Sequence, residues 1–365
     1  MESIEQTFTG TVDFGRRVTA TVSRNGDLIH RTYIQLTLPA LSATGGNVSW
    51  TRDVGNVMLR EVEIEIGGQR IDRHYGQWLH IWQELTLTSE HEDTYNIMVG
   101  NTTELTTPAA SIPARTLYIP LMFWFNRNVG LSLPLIALQY HEVKFNVEFR
   151  PFNQCYVAAA GATVAPASFS NASLWIDYIY LDTDERRQFA QIAHEYLVEQ
   201  LQFTGAESFS QTSIRQRLNF NHPCKELVWV AQLDTNTDAG ANRWADFTNS
   251  GTTVGKEYVG NDMVVDAKLL LNGHDRFATR AGSYFNLVQP YQHHTRGPST
   301  GVYVYSFAVK PEEHQPSGTI NMSRIDNATL QMTMVSAAAF KLYTYMTNYN
   351  VLRIMSGMAG LAYSN

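Results

Sequence analysis

Histidine is followed by glutamate three times, at His91-Glu92, His141-Glu142 and His194-Glu195, and each pair offers the nitrogen and oxygen donors that zinc or iron accepts. A helical zinc motif needs a second histidine four residues on, and none of the three has it. His91-Glu92-Asp93 also spells a His-x-Asp spacing used by metal-dependent sandwich enzymes, with His293-His294 far downstream as distant ligands. That triplet lies in a polar stretch, Thr88 to Pro113, which reads as an inserted loop, so a solvated acidic loop is the expectation there. His293-His294, close to Pro290 and Pro298, reads as a turn or interface element. Glycoside chemistry needs two converging carboxylates, and nothing singles out a pair; Asp182, Asp184 and Glu185 form one cluster of acids. They run directly into Arg186 and Arg187, which is the charge order of a helix N-terminus with local ion pairs. Trp78, Trp82, Phe123, Trp124 and Phe125 could stack on sugars, but such stripes are more readily core.

No phosphate-cradling glycine loop and no G-x-S-x-G elbow occurs. The two cysteines, Cys155 and Cys224, lack C-x-x-C spacing and read as free thiols of a reducing compartment. The expectation is therefore no catalytic residue, no cofactor and no metal. Asn-x-Ser/Thr occurs at Asn47, Asn101, Asn171, Asn321 and Asn327, the candidate glycosylation sites, and without a visible secretory route they carry little weight.

Composition narrows the classes further. Of 365 residues, 44% are hydrophobic and 17% charged, too apolar for a disordered chain and too poor in charge for a coiled coil. With 27 Lys+Arg against 34 Asp+Glu the net charge is −7, which excludes a surface built to neutralise phosphates and hence direct nucleic-acid binding. No basic n-region precedes an apolar stretch, and no run reaches the roughly 18 apolar residues of a membrane span. Lysine is scarce beside arginine, a bias that suits ordered, interface-type contacts.

The elements are mainly strands. Val143, Phe145, Val147 and Phe149 alternate with Glu142, Lys144, Asn146 and Glu148, which predicts a half-buried strand. Val62, Ile64 and Ile66 alternate in the same way, as do Leu330, Met332 and Met334. Apolar runs at 174–181, 227–233, 302–309 and 340–346 also read as strands; Leu197, Leu201 and Phe203 would share one strand face, and a helix continuing through Tyr196 and Leu197 fits about as well. Asn25-Gly26 predicts a type I′ hairpin turn. Helical period appears at Tyr75, Trp78, Leu79 and Trp82, predicting a helix over 74–86, and again from Asp182 to Ile192. Asp234 to Asp262, with Asn236, Gly240, Asn242, Asn249, Gly251 and Gly255, and Cys155 to Ser173 read as long loops.

A faint repeat spans the midpoint. Ile66-Gly67-Gly68 through Asp72 resembles Leu271-Asn272-Gly273 through Phe277, and Pro120 to Phe125 resembles Tyr303 to Phe307. The first pair is offset farther than the second, as an insertion at Thr88 to Pro113 requires. Two β-rich halves joined by a helix predict a tandem sandwich: a first sandwich over 1–182, a connecting helix over 183–194 and a second sandwich over 195–365.

Several phrases carry a resemblance. They are Ser23-Arg24-Asn25-Gly26-Asp27-Leu28, Ile66-Gly67-Gly68-Gln69 through His74-Tyr75-Gly76, and Pro134-Leu135-Ile136-Ala137-Leu138-Gln139-Tyr140-His141. Asp182 to Arg187, Asn221-His222-Pro223, Gln315 to Thr319 through Ser323-Arg324-Ile325-Asp326, and Asn348 to Asn365 complete them. Together they span nearly the whole chain, which resembles the major capsid proteins of nucleocytoplasmic large DNA viruses, the group that includes chloroviruses and iridoviruses. The resemblance implies an all-β fold of two tandem eight-stranded jelly rolls with a few short helices. It implies a homotrimer that forms a pseudo-hexameric capsomer and tiles an icosahedral shell. Neighbouring capsomers, minor capsid proteins and penton proteins are the implied partners, with an internal membrane reached only indirectly. The implied location is the virion, assembled in the host cytoplasm, and the implied role is structural, with no enzyme activity. The family usually carries an arm of some tens of residues ahead of the Ser-Arg-Asn-Gly-Asp phrase, which commonly lies beneath the capsomer; here Met1 to Ser23 precede it. The chain is also short for the family, which implies modest surface loops. The alternatives are a carbohydrate-binding or host-attachment protein using Asp234 to Asp262, and a metalloenzyme using His91 and Asp93.

Overall fold

Alternating apolar side chains give the strands one face to bury, and in a computed structural model describing residues 1–238, 240–250, 252–254 and 257–363 they do so in paired sheets. The first half contributes β1 (Glu2–Thr7), β2 (Arg17–Thr21), β3 (Leu28–Leu38), β4 (Leu59–Ile66), β5 (Gln69–Tyr75), β6 (Arg115–Pro120), β7 (Val143–Phe149) and β8 (Ala172–Ile179). They pair antiparallel in the orders β1-β8-β3-β6 and β2-β7-β4-β5. The second half contributes β9 (His194–Phe209), β10 (Ser213–Leu218), β11 (Pro223–Leu233), β12 (Val264–Leu271), β13 (His274–Asp275), β14 (Val302–Ser306), β15 (Ala328–Met334) and β16 (Phe340–Met355). Their orders are β9-β16-β11-β14 and β10-β15-β12-β13, the same plan repeated strand for strand. This is a double jelly roll, in which long crossing connections between two sheets leave only short edges.

Each sandwich has its own core. Ile34, Leu36, Leu174 and Ile176 meet Val62, Ile64, Phe145 and Val147 in the first, all fully buried. Trp229, Tyr303 and Leu342 meet Ala267, Leu269, Leu330 and Met332 in the second. Strand β7 shows the predicted alternation without exception: Val143, Phe145, Val147 and Phe149 are buried and the residues between them are not.

The repeated glycine turns are the same object twice. Gly67 and Gly68 take φ of 58° and 83°, and Asn272 and Gly273 take 51° and 84°, so each hairpin, β4-β5 and β12-β13, closes through the two left-handed residues of a type I′ turn. Asn25-Gly26 does not. Neither residue has a positive φ, and the flanking strands lie in different sheets, β2 beside β7 and β3 beside β8. The link is a sheet-to-sheet crossing rather than a hairpin. Glycine is needed there for space, since a Cβ on Gly26 would stand 2.8 Å from the Cβ of Tyr178.

Helices appear where predicted and in further places. The aromatic stripe forms α1 (Gly76–Thr86), its start set by Tyr75 remaining in β5. The polar stretch after it is not a plain loop: Ser89–Val99 forms α2, with Glu90 and Glu92 in its first turn, followed by a turn of helix at Thr103–Thr106. Only Val99 of α2 is buried, so the apolar period that would have marked it is missing from the sequence. Asp182 caps α3 (Thr183–Gln191) by accepting the backbone N–H groups of Asp184 and Glu185. A π turn at Tyr284–Val288 leads into α4 (Gln289–His293).

The two long loops are partly ordered as well. Short strands Tyr156–Ala158 and Thr163–Val164 interrupt the first, and a helical turn at Asp234–Thr237 and the pair Thr252–Val254 and Glu257–Val259 interrupt the second. Gly251 and Gly255 lie outside the described residues. Buried Asp246 organises the second loop, its carboxylate accepting from the backbone N–H and the hydroxyl of Thr248.

Two compact units result. Met1–Leu79, Thr94–Gln200 and the chain from Asn350 onward form one, and His80–Asp93 with Leu201–Tyr349 form the other.

Candidate functional site: buried charges and sheet faces

The three His-Glu pairs perform three separate structural tasks. His91, on α2 rather than in a loop, places Nδ1 2.8 Å from the Thr88 hydroxyl, and Glu92 pairs with Arg296 at 2.8 Å. His141 Nδ1 accepts the N–H of Ala359 at 3.1 Å while Glu142 pairs with Lys144. His194 Nε2 lies 2.7 Å from the carbonyl of Phe189 and Glu195 pairs with Arg353. Among the described residues no group of three or more His, Cys, Asp or Glu is placed to hold a metal. Asp184 stays beside Arg187, and Arg186 reaches Asp27, whose carboxylate also accepts the N–H of Leu181. Trp78, Trp82, Phe123, Trp124 and Phe125 are all buried. Both thiols are free and buried; burial pushes Cys155 up to about 12 and Cys224 well above its ordinary value, so neither is a ready nucleophile. Asn47, Asn171, Asn321 and Asn327 are exposed, whereas Asn101 is half-buried and donates its amide to Asn96.

The phrases that carried the resemblance meet in space. Arg24 donates to the carbonyls of Leu138 and Gln139, Tyr140 N–H donates to Gly357, and His141 packs over Gly67, where a Cβ would come within 2.2 Å of its ring. In the second unit His222 N–H donates to the Ser323 hydroxyl. These segments are junctions where side chains lock loops to one another.

One cluster escaped sequence reasoning. His294 ends α4 inside the protein, not in an exposed turn, with Nε2 3.0 Å from Glu226 and Nδ1 2.9 Å from Glu312. Burial disfavours its charge, but the two carboxylates, Glu226 foremost, outweigh that and raise it to about 9. Glu312 also accepts the backbone N–H and hydroxyl of Thr295, and despite the cost of burial it is held below the usual carboxylate range. The ion group pins the segment after β14 to the end of α4.

The outward sheet faces differ in chemistry. On β2-β7-β4-β5 the outer residues form a lattice of opposite charges: Glu63 takes Arg17 and Arg73, Glu61 takes Arg17 and Arg73, and Glu148 takes Arg60. On β1-β8-β3-β6 the outer positions are aromatic instead. Trp175 and Tyr33 are cross-strand partners with rings 6.3 Å apart and nearly parallel, and Tyr118 follows at 6.2 Å from Tyr33. Tyr118 is 41% exposed. The signal was available: in β3 and β8 Tyr33 and Trp175 fall on the out-facing parity between buried Ile34, Leu36, Leu174 and Ile176. On β10-β15-β12 the outer row is Arg215, Gln331 and Lys268, in register across the three strands.

Comparison with known proteins agrees with this architecture. A family described as large eukaryotic DNA virus major capsid protein matches residues 185–360, and one described as major capsid protein N-terminus matches residues 1–182. The major capsid protein of Pyramimonas orientalis virus is 52% identical, covering 100% of this chain and 90% of the relative. That of Paramecium bursaria Chlorella virus 1 is 43% identical, covering 100% and 91%. Among solved structures, the PBCV-1 virus capsid matches with a TM-score of 0.83 at 39% identity, covering 100% of this chain and 96% of that one. The Faustovirus major capsid protein matches with a TM-score of 0.84 at 12% identity over 97% and 90%, a likeness of fold.

Proposed function

From a chain that belongs to the major capsid protein family of large eukaryotic DNA viruses, we propose a shell subunit that closes with two further copies into a pseudo-hexameric capsomer. The observation that carries the reading is the repetition of one sheet plan in both halves: three chains with two like sandwiches each present six similar blocks, and six blocks suit a near-hexagonal tile. Flat capsomers then tile an icosahedral facet through weaker contacts repeated many times, with minor capsid and penton proteins as further partners. The work is mechanical enclosure of a genome, without catalysis or cofactor. The net charge of −7 supports a shell that makes no direct contact with nucleic acid and meets an internal membrane only through other proteins. Residence in the virion after assembly in the host cytoplasm belongs to the same proposal.

The proposed division is a first sandwich over 1–182, a link over 183–194 and a second sandwich over 195–365. The capped helix α3 between the two sets of strands supports it. Of the sequons, Asn47, Asn171, Asn321 and Asn327 are the proposed glycan acceptors, being exposed, with Asn101 the least suited.

The test is the mass of the purified protein by light scattering over a range of concentrations. A species of three chains that persists on dilution is the expected result, and a single chain at every concentration overturns the capsomer.

A further inference from the structure

The aromatic sheet face of the first sandwich is built like the centre of an interface. Glu5, Trp175, Tyr33 and Pro120 are successive cross-strand neighbours over β1, β8, β3 and β6, and Tyr118 stands beside them, opposite Gln35. Large rigid rings at the centre with charges confined to the margin are the usual anatomy of a protein contact. The margin is acidic on the β1 side, where Glu5 and Asp177 lie, with Arg31 beside them on β3; Glu2, on the other face of β1, accepts from the Tyr180 hydroxyl. The corresponding face of the second sandwich is covered, since Val228 and Val230 of β11 and Val302 and Val304 of β14, on the parity opposite Trp229 and Tyr303, are all fully buried. That covering is over β11 and β14; toward β9 and β16 the same face carries Phe203 stacked on Tyr343 and Tyr345, with Phe203 and Tyr343 half-buried.

A complementary surface exists on the same chain. The outer face of β10-β15-β12 carries Arg215, Gln331 and Lys268 in one row and Arg217, Thr329 and Leu270 in the next, with Lys268 paired to Asp275 and Asp266 on the same face beside Thr333. Arg215 and Arg217 are exposed, and among the described residues neither is paired with a carboxylate; Arg217 donates only to the carbonyl of Asp326.

We propose that the Trp175-Tyr33-Tyr118 face of one copy docks on the Arg215-Arg217 edge of that outer face on the next, the acidic margin of the first meeting the two arginines of the second. Two unlike patches joined head to tail repeat around an axis, and the rotation between copies sets whether they close into a ring; a self-complementary patch stops at two copies. The aromatic centre supplies contact area at low entropic cost, and the opposite charges set orientation and partner choice. The inference rests on the homotrimer reading and assigns its seam.

The test is charge exchange in the full chain. Arg215→Glu with Arg217→Glu should shift dissociation of the oligomer, followed by light scattering on dilution, to concentrations roughly tenfold or more above wild type. Adding Glu5→Arg and Asp177→Arg to the same chain should restore assembly. Unchanged near-ultraviolet circular dichroism checks folding, and Tyr118→Asp provides a second, independent lesion that should also weaken assembly. If wild type is trimeric and the arginine variant and Tyr118→Asp both assemble as wild type does, the seam is elsewhere while the trimer stands. Failure of the exchange to restore assembly overturns the pairing of these two faces. A wild type that is monomeric throughout overturns the trimer and this seam together.

Discussion

His294 shows how a single side chain can set the pH range of a fold. Its raised value means that the imidazolium stabilises the folded state fully below the ordinary 6.5 and progressively less as pH rises toward about 9, where the folded form also loses the proton. Urea unfolding at pH 6.5 and 9.5 should show a loss on the order of 2–3 kcal/mol in wild type and little in His294→Gln. Equal pH dependence in the two proteins would remove His294 as the cause. At fixed pH 6.5, His294→Ala should cost about 3–5 kcal/mol, because the Glu226 carboxylate stays buried without its counter-charge. The cluster was invisible in the sequence because its members come from three separate segments and nothing in the His293-His294 dipeptide tells which ring turns inward. Gly26 gives the opposite lesson. The Asn25-Gly26 signal pointed to a special position, but the reason is the approach of Tyr178 from another strand, a contact that no local pattern encodes. Gly26→Val should therefore lower stability by about 1–3 kcal/mol through overpacking. An unchanged melting temperature would show that Tyr178 yields freely.

Elements were legible in proportion to how much of their apolar period faces one core. Strand β7 alternates strictly and was read correctly, as were β4 and β15. The helix α2 buries only Val99, so its hydrogen bonds and not its side chains define it, and polarity alone read as a loop. Strand β7 also sets the sharpest test of register. Phe145→Asp puts a carboxylate among Phe123, Phe125 and Ile64 and should abolish soluble expression. Lys144→Glu, one residue away and facing outward, breaks only its pair with Glu142 and adds repulsion to Glu65 across the strand, a cost of about 1 kcal/mol or less. Comparable yields of both proteins would mean the face assignment is inverted. The functional surfaces were less legible than the strands. Trp175 and Tyr33 sit at out-facing positions of well-predicted strands, but only the sheet order reveals that they are neighbours.

At the scale of the whole molecule, the tandem sandwich was legible because glycine turns recur at matching places in each half around one capped midpoint helix, and the family because its phrases span nearly the whole chain. What was not legible is how the chain is shared between the units. His80–Asp93 leave the first half of the sequence to join the second unit, and the residues from Asn350 onward return to the first, where Leu352, Ile354 and Ala359 enter its core. Removing residues 350–365 should therefore unfold the first sandwich more than the second: limited proteolysis should cut first within 1–79 and 94–200. Cleavage confined to 201–349 would contradict that dependence. The order of synthesis adds a consequence. On a ribosome the first sandwich emerges early yet waits for Leu352, Ile354 and Ala359, made after most of the second unit, before its core is complete, so a chain released ahead of them lacks a finished first sandwich. A shell assembled from many copies gains from this arrangement a check against truncated chains, because only chains that extend through these residues present both building blocks.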